Sequence, residues 1–151
     1  MSSDWRDFVV DDEARVADLV RSMKRVAVLG IKTEEQSSQP AFYVAKYLAD
    51  AGLDVVPVPV YFPDVTQILG RAVYRRVADV PPPIDCVDVF RRPADVPAHV
   101  DDLIAAQPRL VWLQLGIRHA AAAERLARAG IYVVQDRCLM VDHRRYARPA
   151  H

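Results

Sequence analysis

Gly30 closes a short apolar run, Arg25-Val-Ala-Val-Leu29, and opens a polar loop carrying Ser37 and Ser38 ahead of Pro40. A β-branched run, a glycine and then a helix start is how a parallel strand delivers a ligand phosphate to backbone N–H groups. Gly30, Ile31 and Lys32 stand at that turn; glycine lets a ligand approach the backbone, or simply serves a tight turn. The hydroxyls of Ser37 and Ser38 suit a phosphate, or the capping of the helix that follows. Arg91 and Arg92 come directly after a second apolar run, where a guanidinium can pair with phosphate oxygens. One of the two has the character of an ordinary surface arginine. An unpaired arginine is costly to bury, so without a phosphate Arg91 calls for an acid such as Asp88 or Asp64. Pro59, Tyr61 and Phe90 offer flat apolar surfaces to a base, or to the core. This set fits a phosphate-bearing nucleotide.

The familiar nucleotide chemistries fit poorly. A dinucleotide enzyme needs Gly-x-Gly-x-x-Gly and an acid closing the second strand to hold the ribose. Here Gly30 stands alone, and Pro59 and Tyr61 follow the second strand. No Gly-Lys-Ser/Thr exists for a phosphate-binding loop of the ATPase type. Catalytic constellations are equally sparse. His99, His119, His143 and His151 show no metal-ligand spacing with Cys86 and Cys138. Cys138 lies near Asp136, Asp142 and His143, and with His119 it could form a thiol–base pair; a packing role is the simpler reading of a cysteine.

The 151 residues suit one domain with a single well-buried core. Twenty Lys and Arg balance twenty Asp and Glu, which argues against a protein built to hold nucleic acid. The start of the chain is acidic and its end basic, a pattern of solvated or mutually attracting ends. No apolar run approaches the ~18 residues that cross a bilayer, and the N-terminus lacks the pattern of a secretory signal. Two cysteines make no disulfide framework. A reduced cytoplasmic setting is expected.

The periodicity predicts helices over 11–24, 40–51, 97–106, 120–129 and 137–146. Strands are predicted over 25–29, 54–58, 84–90, 110–114 and 131–134, with a short helix over 65–69 in an irregular, proline-rich connection. Pro57 inside the second strand signals a pairing defect or a strand end. Alternating strands and helices, with nearly continuous apolar strands, give a Rossmann-like, doubly wound α/β fold. The expected single five-stranded parallel sheet has strand order 3-2-1-4-5. Residues 1–24 are expected to form a helical extension packed on a domain over 25–146, with a tail over 147–151. Ligands of such sheets bind beyond the carboxyl ends of the strands. Those ends are Gly30 to Lys32, Val58 to Tyr61, Phe90 to Pro93 and Gln114 to Ile117.

The stretches "VAVLG", the Ser-x-Pro lead into "YVAKYLADAGLDVVPV", "DCVDVFRRP", "LVWLQLGIRH" and "DRCLMVDHRR" resemble the small stand-alone CoA-binding proteins of the YccU-like type. These are relatives of the CoA-binding domain of the succinyl-CoA synthetase α-subunit. The resemblance covers 25–146. It implies that CoA or acyl-CoA lies across the carboxyl ends of the strands. Gly30, Ile31, Lys32, Ser37 and Ser38 would approach its phosphates, and Pro59 and Tyr61 would border the adenosine. Phe90 and Arg91 would form the neighbouring wall, and Leu115, Gly116 and Ile117 would line the path of the pantetheine arm. Two departures touch these contacts. Gln39 stands where the family commonly has arginine, in a loop lengthened by Thr33-Glu34-Glu35, and Pro59-Val60 replaces a common Asn-Pro. The chain lacks the second domain that supplies a phosphorylated histidine in the synthetases, so His119 is not read as that residue. The expected function is CoA binding without catalysis. An enzyme acting on an acyl-CoA through Cys138 or His119, and a regulatory module sensing CoA or another nucleotide, stay open. So does a homodimer or a protein partner; no nucleic acid or membrane is expected.

Overall fold

The computed structural model describes residues 4–147; the predicted tail beyond Ala147, with Arg148 and His151, lies outside them. Five parallel strands form the sheet: β1 (Arg25–Leu29), β2 (Asp54–Val58), β5 (Cys86–Val89), β6 (Leu110–Leu113) and β7 (Tyr132–Val134). A hairpin of two-residue strands, β3 (Gln67–Ile68) and β4 (Arg71–Ala72), lies between β2 and β5 in the chain. Each main strand is short, apolar and rich in β-branched residues, as a strand covered on both faces must be. Residues alternate between two cores because the strand period is two. Val26, Val28, Cys86 and Trp112 face one side, with α1 (Glu13–Arg21), α2 (Pro40–Asp50) and α5 (Leu139–Tyr146). Ala27, Leu29, Val87, Val89 and Val111 face the other, with α3 (Val100–Ala106) and α4 (Ala120–Arg128).

The doubly wound, Rossmann-like fold is as expected, but the strand order differs. The sheet runs β2-β1-β5-β6-β7, or 2-1-3-4-5 in its main strands, instead of 3-2-1-4-5. Cys86–Val89 pairs with β1, on the side opposite β2. Pro57 supplies the physical reason. The Asp54 N–H donates to Lys24 and the Val58 carbonyl accepts from Gly30, so even-numbered residues of β2 bond towards β1. Pro57 faces the other way and has no N–H to give, so no full strand can pair there. Its carbonyl takes a single bond, from the Tyr74 N–H just after the hairpin, at 3.0 Å. That hairpin also replaces the short helix predicted over 65–69. Leu69 and Gly70, both at positive φ, make its two-residue turn. The helix predicted over 97–106 begins only at Val100, because Pro93–His99 forms 3-10 turns with Pro97 inside them.

The N-terminal residues add to the far edge. Val9 bridges to Val133 in parallel, and the Val10 N–H donates to the Val133 carbonyl at 2.8 Å. Arg137 joins the two ends of the chain: its guanidinium bonds Asp142 and Glu13, at 2.6 and 2.7 Å. The Arg137 and Tyr146 bonds pull the Glu13 carboxyl down to about 2. Among the described residues, no helix is long and apolar enough to cross a membrane.

Two features of the central strands are energetically unusual. Gly30 has φ +85°, and a Cβ there would lie 2.3 Å from the Phe90 carbonyl oxygen. Strands β1 and β5 therefore leave the sheet in direct backbone contact. Asp88, wholly buried in β5, has no hydrogen-bond partner on either oxygen among the described residues. Its register neighbours are Val28 and Trp112, and the Trp112 indole N–H is already given to the Arg137 carbonyl at 2.7 Å. Burial pushes the Asp88 carboxyl well above its ordinary value, as it does any acid whose charged form is desolvated.

Gly30→Ala is expected to cost more than about 2 kcal/mol in chemical denaturation, through left-handed backbone strain plus a clash with backbone. Gly52→Ala, also at positive φ but with no atom within 4 Å of the added Cβ, should cost only the strain, about 1–2 kcal/mol. Equal losses would show that the Phe90 contact relaxes freely. The second expectation concerns pH. With its folded-state pKa raised, Asp88 binds its proton more tightly in the folded than in the unfolded chain, so its contribution falls as pH rises through that window. Asp88→Asn should therefore gain stability relative to the parent as pH rises from the ordinary carboxylate range towards the raised folded-state value. Parallel stability profiles would contradict a protonated Asp88.

Candidate ligand-binding site

The chain leaves β1 towards β2 on one side, then crosses to β5 on the other. This reversal opens a crevice at the carboxyl ends of β1 and β5, where doubly wound sheets bind ligands. A cleft of about 390 Å³ lies there, on the α2 and α5 side. Lys32, Gln39, Pro40, Ala41 and Tyr43 line it from the β1–α2 connection. Phe90 contributes after β5, Gln114, Leu115 and Ile117 after β6, and Cys138 before α5.

The polar groups in this cleft are mainly donors. The Lys32 ammonium bonds the Gln39 side-chain oxygen. Gln39 is the N-cap of α2 but makes no side-chain cap, and Pro40 has no N–H. The Phe42 and Tyr43 N–H groups both donate to the Gln39 carbonyl. That leaves the Ala41 N–H without an acceptor among the described residues. Gln114 is 4% exposed, and its Oε1 accepts the Leu139 N–H at 3.3 Å. Among the described residues no carboxylate or histidine lines the cleft, while Phe90, Leu115, Ile117, Ala41 and Tyr43 give it apolar walls.

At the β5 exit the chain splits its chemistry between two faces, because successive residues point in opposite directions. Phe90 turns into the cleft. Arg91 turns the other way and touches the spot above Gly30, its Cδ 3.4 Å from where a Cβ would be. The Arg91 side chain is only 14% exposed. Its Nε donates to His99 Nε2 at 3.1 Å and its Nη1 to the Tyr61 hydroxyl at 3.2 Å, while Asp95 lies 3.7 Å from Nη2. The guanidinium also sits 5.5 Å from the Tyr61 ring centroid, within cation–π range. Burial and the neighbouring Arg91 charge hold the His99 imidazole below its usual range, and the Arg91 bond lowers the Tyr61 phenol. Arg91's acid is thus Asp95, four residues on, rather than Asp88 or Asp64. Arg92 is the exposed arginine of the pair and binds Asp95 at 2.8 Å.

The loop after β6 is fastened from below. The Gly116 N–H donates to the Asp136 carboxylate at 2.7 Å, and the Asp136 N–H to the Ile117 carbonyl at 3.1 Å. The Gly116 bond holds the Asp136 carboxyl below its ordinary value. His119 caps α4: its Nδ1 accepts the Ala122 N–H at 3.1 Å. His143 Nδ1 meets the Tyr47 hydroxyl at 3.0 Å. Neither histidine lines the cleft with Cys138.

Of the residues singled out in the sequence, the cleft gathers Lys32, Phe90, Leu115 and Ile117. Gly30, Ile31 and Gly116 do not line it: Gly30 abuts the Phe90 carbonyl, the Gly116 N–H donates to Asp136, and Ile31 is buried. Arg91 and Tyr61 form the adjoining polar cluster, and Pro59 is buried at the end of β2. Ser37 and Ser38 are exposed and do not cap α2. The lengthened loop leans away from the cleft instead. Thr33 caps a 3-10 turn over Glu34–Gln36, and Glu34 accepts the Leu69 N–H of the hairpin at 2.8 Å. A second depression, of about 290 Å³, lies between that loop and Phe62, Val65 and Gln67. The sequence reading missed Ala41, Tyr43 and Asp95; it named Gln39 only as a departure from the family at the phosphate contacts and His99 only as a histidine without metal-ligand spacing. It placed Gln114 at a strand end without a role.

Comparison with known proteins agrees with this geometry. The chain is 28% identical over 131 residues to the uncharacterized protein YneT of Bacillus subtilis (strain 168), covering 87% of this chain and 93% of that one. A solved structure from Thermus thermophilus is 38% identical, with a TM-score of 0.81, over 90% of this chain and 99% of the other. A dinucleotide-forming acetyl-coenzyme A synthetase from Ca. Korarchaeum cryptofilum shares the fold at a TM-score of 0.63. It is 21% identical, over 77% of this chain and 27% of its own. A CoA binding domain model matches residues 24–144. That span contains the whole sheet, the cleft and the Arg91 cluster, and the chain belongs to the CoA-binding domain family.

Proposed function

We propose that this chain binds CoA or an acyl-CoA across the carboxyl ends of β1, β5 and β6 and does not turn it over. The carrying observation is the cleft at the switch point, with apolar walls and, among the described residues, unanswered N–H donors and no carboxylate. A pantetheine arm suits it, being a flexible apolar chain whose amide carbonyls need donors. The pyrophosphate would lie against Lys32 and the first turn of α2, where cationic and N–H groups favour anions. The nucleotide end would reach across Gly30 and Phe90 towards Arg91 and Tyr61. Arg91 suits a phosphate there because Asp95 compensates its charge only at 3.7 Å and several of its five N–H donors remain unused. That no carboxylate or histidine among the described residues lines the cleft beside Cys138 supports binding without hydrolysis, since such a group would be needed as general base.

Titration calorimetry is expected to show tighter binding of CoA than of NAD, NADP or ATP. Tighter NAD binding would contradict the proposal. Arg91→Ala should weaken CoA by roughly 10- to 100-fold, the worth of about 1.5–3 kcal/mol for bonds to a charged group. With dephospho-CoA most of that loss should vanish, if Arg91 holds the 3′-phosphate. An Arg91→Ala variant that folds normally and binds CoA like the parent would remove the residue from the site.

A further inference from the structure

Gln114 and Cys138 line the same cleft and are coupled through backbone: the Gln114 oxygen accepts the N–H of Leu139, the residue after Cys138, at 3.3 Å. Only the oxygen end of an amide can accept, so this bond fixes which end is Nε2. Gln114 is 4% exposed, yet its Nε2 donates to no acceptor among the described residues. Cys138 is the N-cap of α5 and makes no side-chain cap there. The N–H groups of Met140 and Val141, in the first turn of that helix, also find no acceptor among the described residues. Cys86, by contrast, is sealed inside the central sheet. A partly exposed thiol therefore stands beside an N–H donor with no acceptor among the described residues, carried by a side chain that is itself 4% exposed, in a cleft that otherwise presents apolar walls.

A thioester carbonyl answers both groups, offering carbon to the thiol and oxygen to the donor. We propose that Cys138 accepts the acyl group of a CoA thioester bound in the cleft, with Gln114 Nε2 holding the carbonyl oxygen. The inference rests on the CoA reading above. The Cys138 sulfur forms a bond to the carbonyl carbon, and the carbonyl electron pair moves onto the oxygen facing Gln114. Preorganised donors aimed at such an oxygen stabilise the tetrahedral intermediate. Collapse breaks the bond from carbon to the CoA sulfur, which leaves with the electron pair. The proton given up by Cys138 ends on that sulfur through solvent. One thioester replaces another, acyl-CoA becomes free CoA, and no oxidant or second substrate is consumed. With no carboxylate or histidine among the described residues lining the cleft to activate water, the acyl group stays on the protein, and the reaction stops at one equivalent.

The test is intact-mass analysis and peptide mapping of the full chain incubated with acetyl-CoA, alongside calorimetry with CoA. The expected result is one acetyl group, on Cys138, released by neutral hydroxylamine, with none on Cys86. Cys138→Ala should bind CoA and remain unlabelled. Gln114→Met, checked for folding by its melting curve and compared with the parent at acetyl-CoA concentrations that saturate each protein, should label about 100-fold more slowly, the usual loss for one oxyanion donor. S-acetyl-pantetheine at the same concentration should label the parent at least about 10-fold more slowly, since it lacks the nucleotide contacts that position the thioester. Failure of the parent to bind CoA removes both readings. Binding without an adduct at Cys138, or labelling equally fast with S-acetyl-pantetheine, overturns this one alone.

Discussion

The backbone contact between Gly30 and Phe90 is the constraint around which the ligand-binding end of the molecule is arranged. A side chain at position 30 would occupy the place of the Phe90 carbonyl oxygen, 2.3 Å from the missing Cβ. Two parallel strands can leave the sheet this close together only if one carries glycine, and positive φ makes glycine doubly suitable there. The Gly30 N–H bonds the Val58 carbonyl, and the Phe90 N–H the Leu29 carbonyl, both at 2.9 Å. The exits of β2, β1 and β5 are thereby locked in register. The close approach of the backbone is thus to another strand. The single glycine of the first turn has a packing role that a dinucleotide fingerprint would not reveal.

From that contact the chemistry divides. Phe90 falls on the α2 side and walls the cleft, and Arg91 falls on the α3 side, where His99, Asp95 and Tyr61 hold its guanidinium. A ligand that spans both must be long, apolar in its middle and anionic towards one end. The same alternation buries Asp88 beneath Phe90 with no partner among the described residues. A carboxyl in that position is kept neutral by its surroundings. No structural group accounts for its retention in the central strand.

Much of the fold was legible because the five main strands are nearly continuous apolar runs and the helices begin and end at glycine, proline and acidic signals. The strand order was not, because the connection 59–85 carries no α-helix to announce a crossover, only a 3-10 turn over Val77–Asp79. Pro57 did announce it, in that a residue without an N–H belongs on an edge. The hairpin escaped because two-residue strands are too short to show a period, although Leu69-Gly70 supplies its turn. In the site, strand-end residues such as Lys32, Phe90, Leu115 and Ile117 followed from the rule for open sheets. Ala41 and Gln39 did not, because their contribution is made by backbone groups of a helix start. Arg91's true partners lie four and eight residues on, brought near by 3-10 turns around Pro97 whose pitch the sequence does not display.

The central claim is that CoA occupies the switch-point cleft. The most direct measurement is a map of backbone amide chemical-shift changes in the isotope-labelled protein titrated with CoA. The account predicts the largest changes at Lys32, Ala41, Phe90, Arg91, Leu115, Gly116 and Cys138, with little change at the β7 edge. CoA that binds yet shifts chiefly the amides of Glu34, Phe62, Val65 and Gln67, around the second depression, would contradict it.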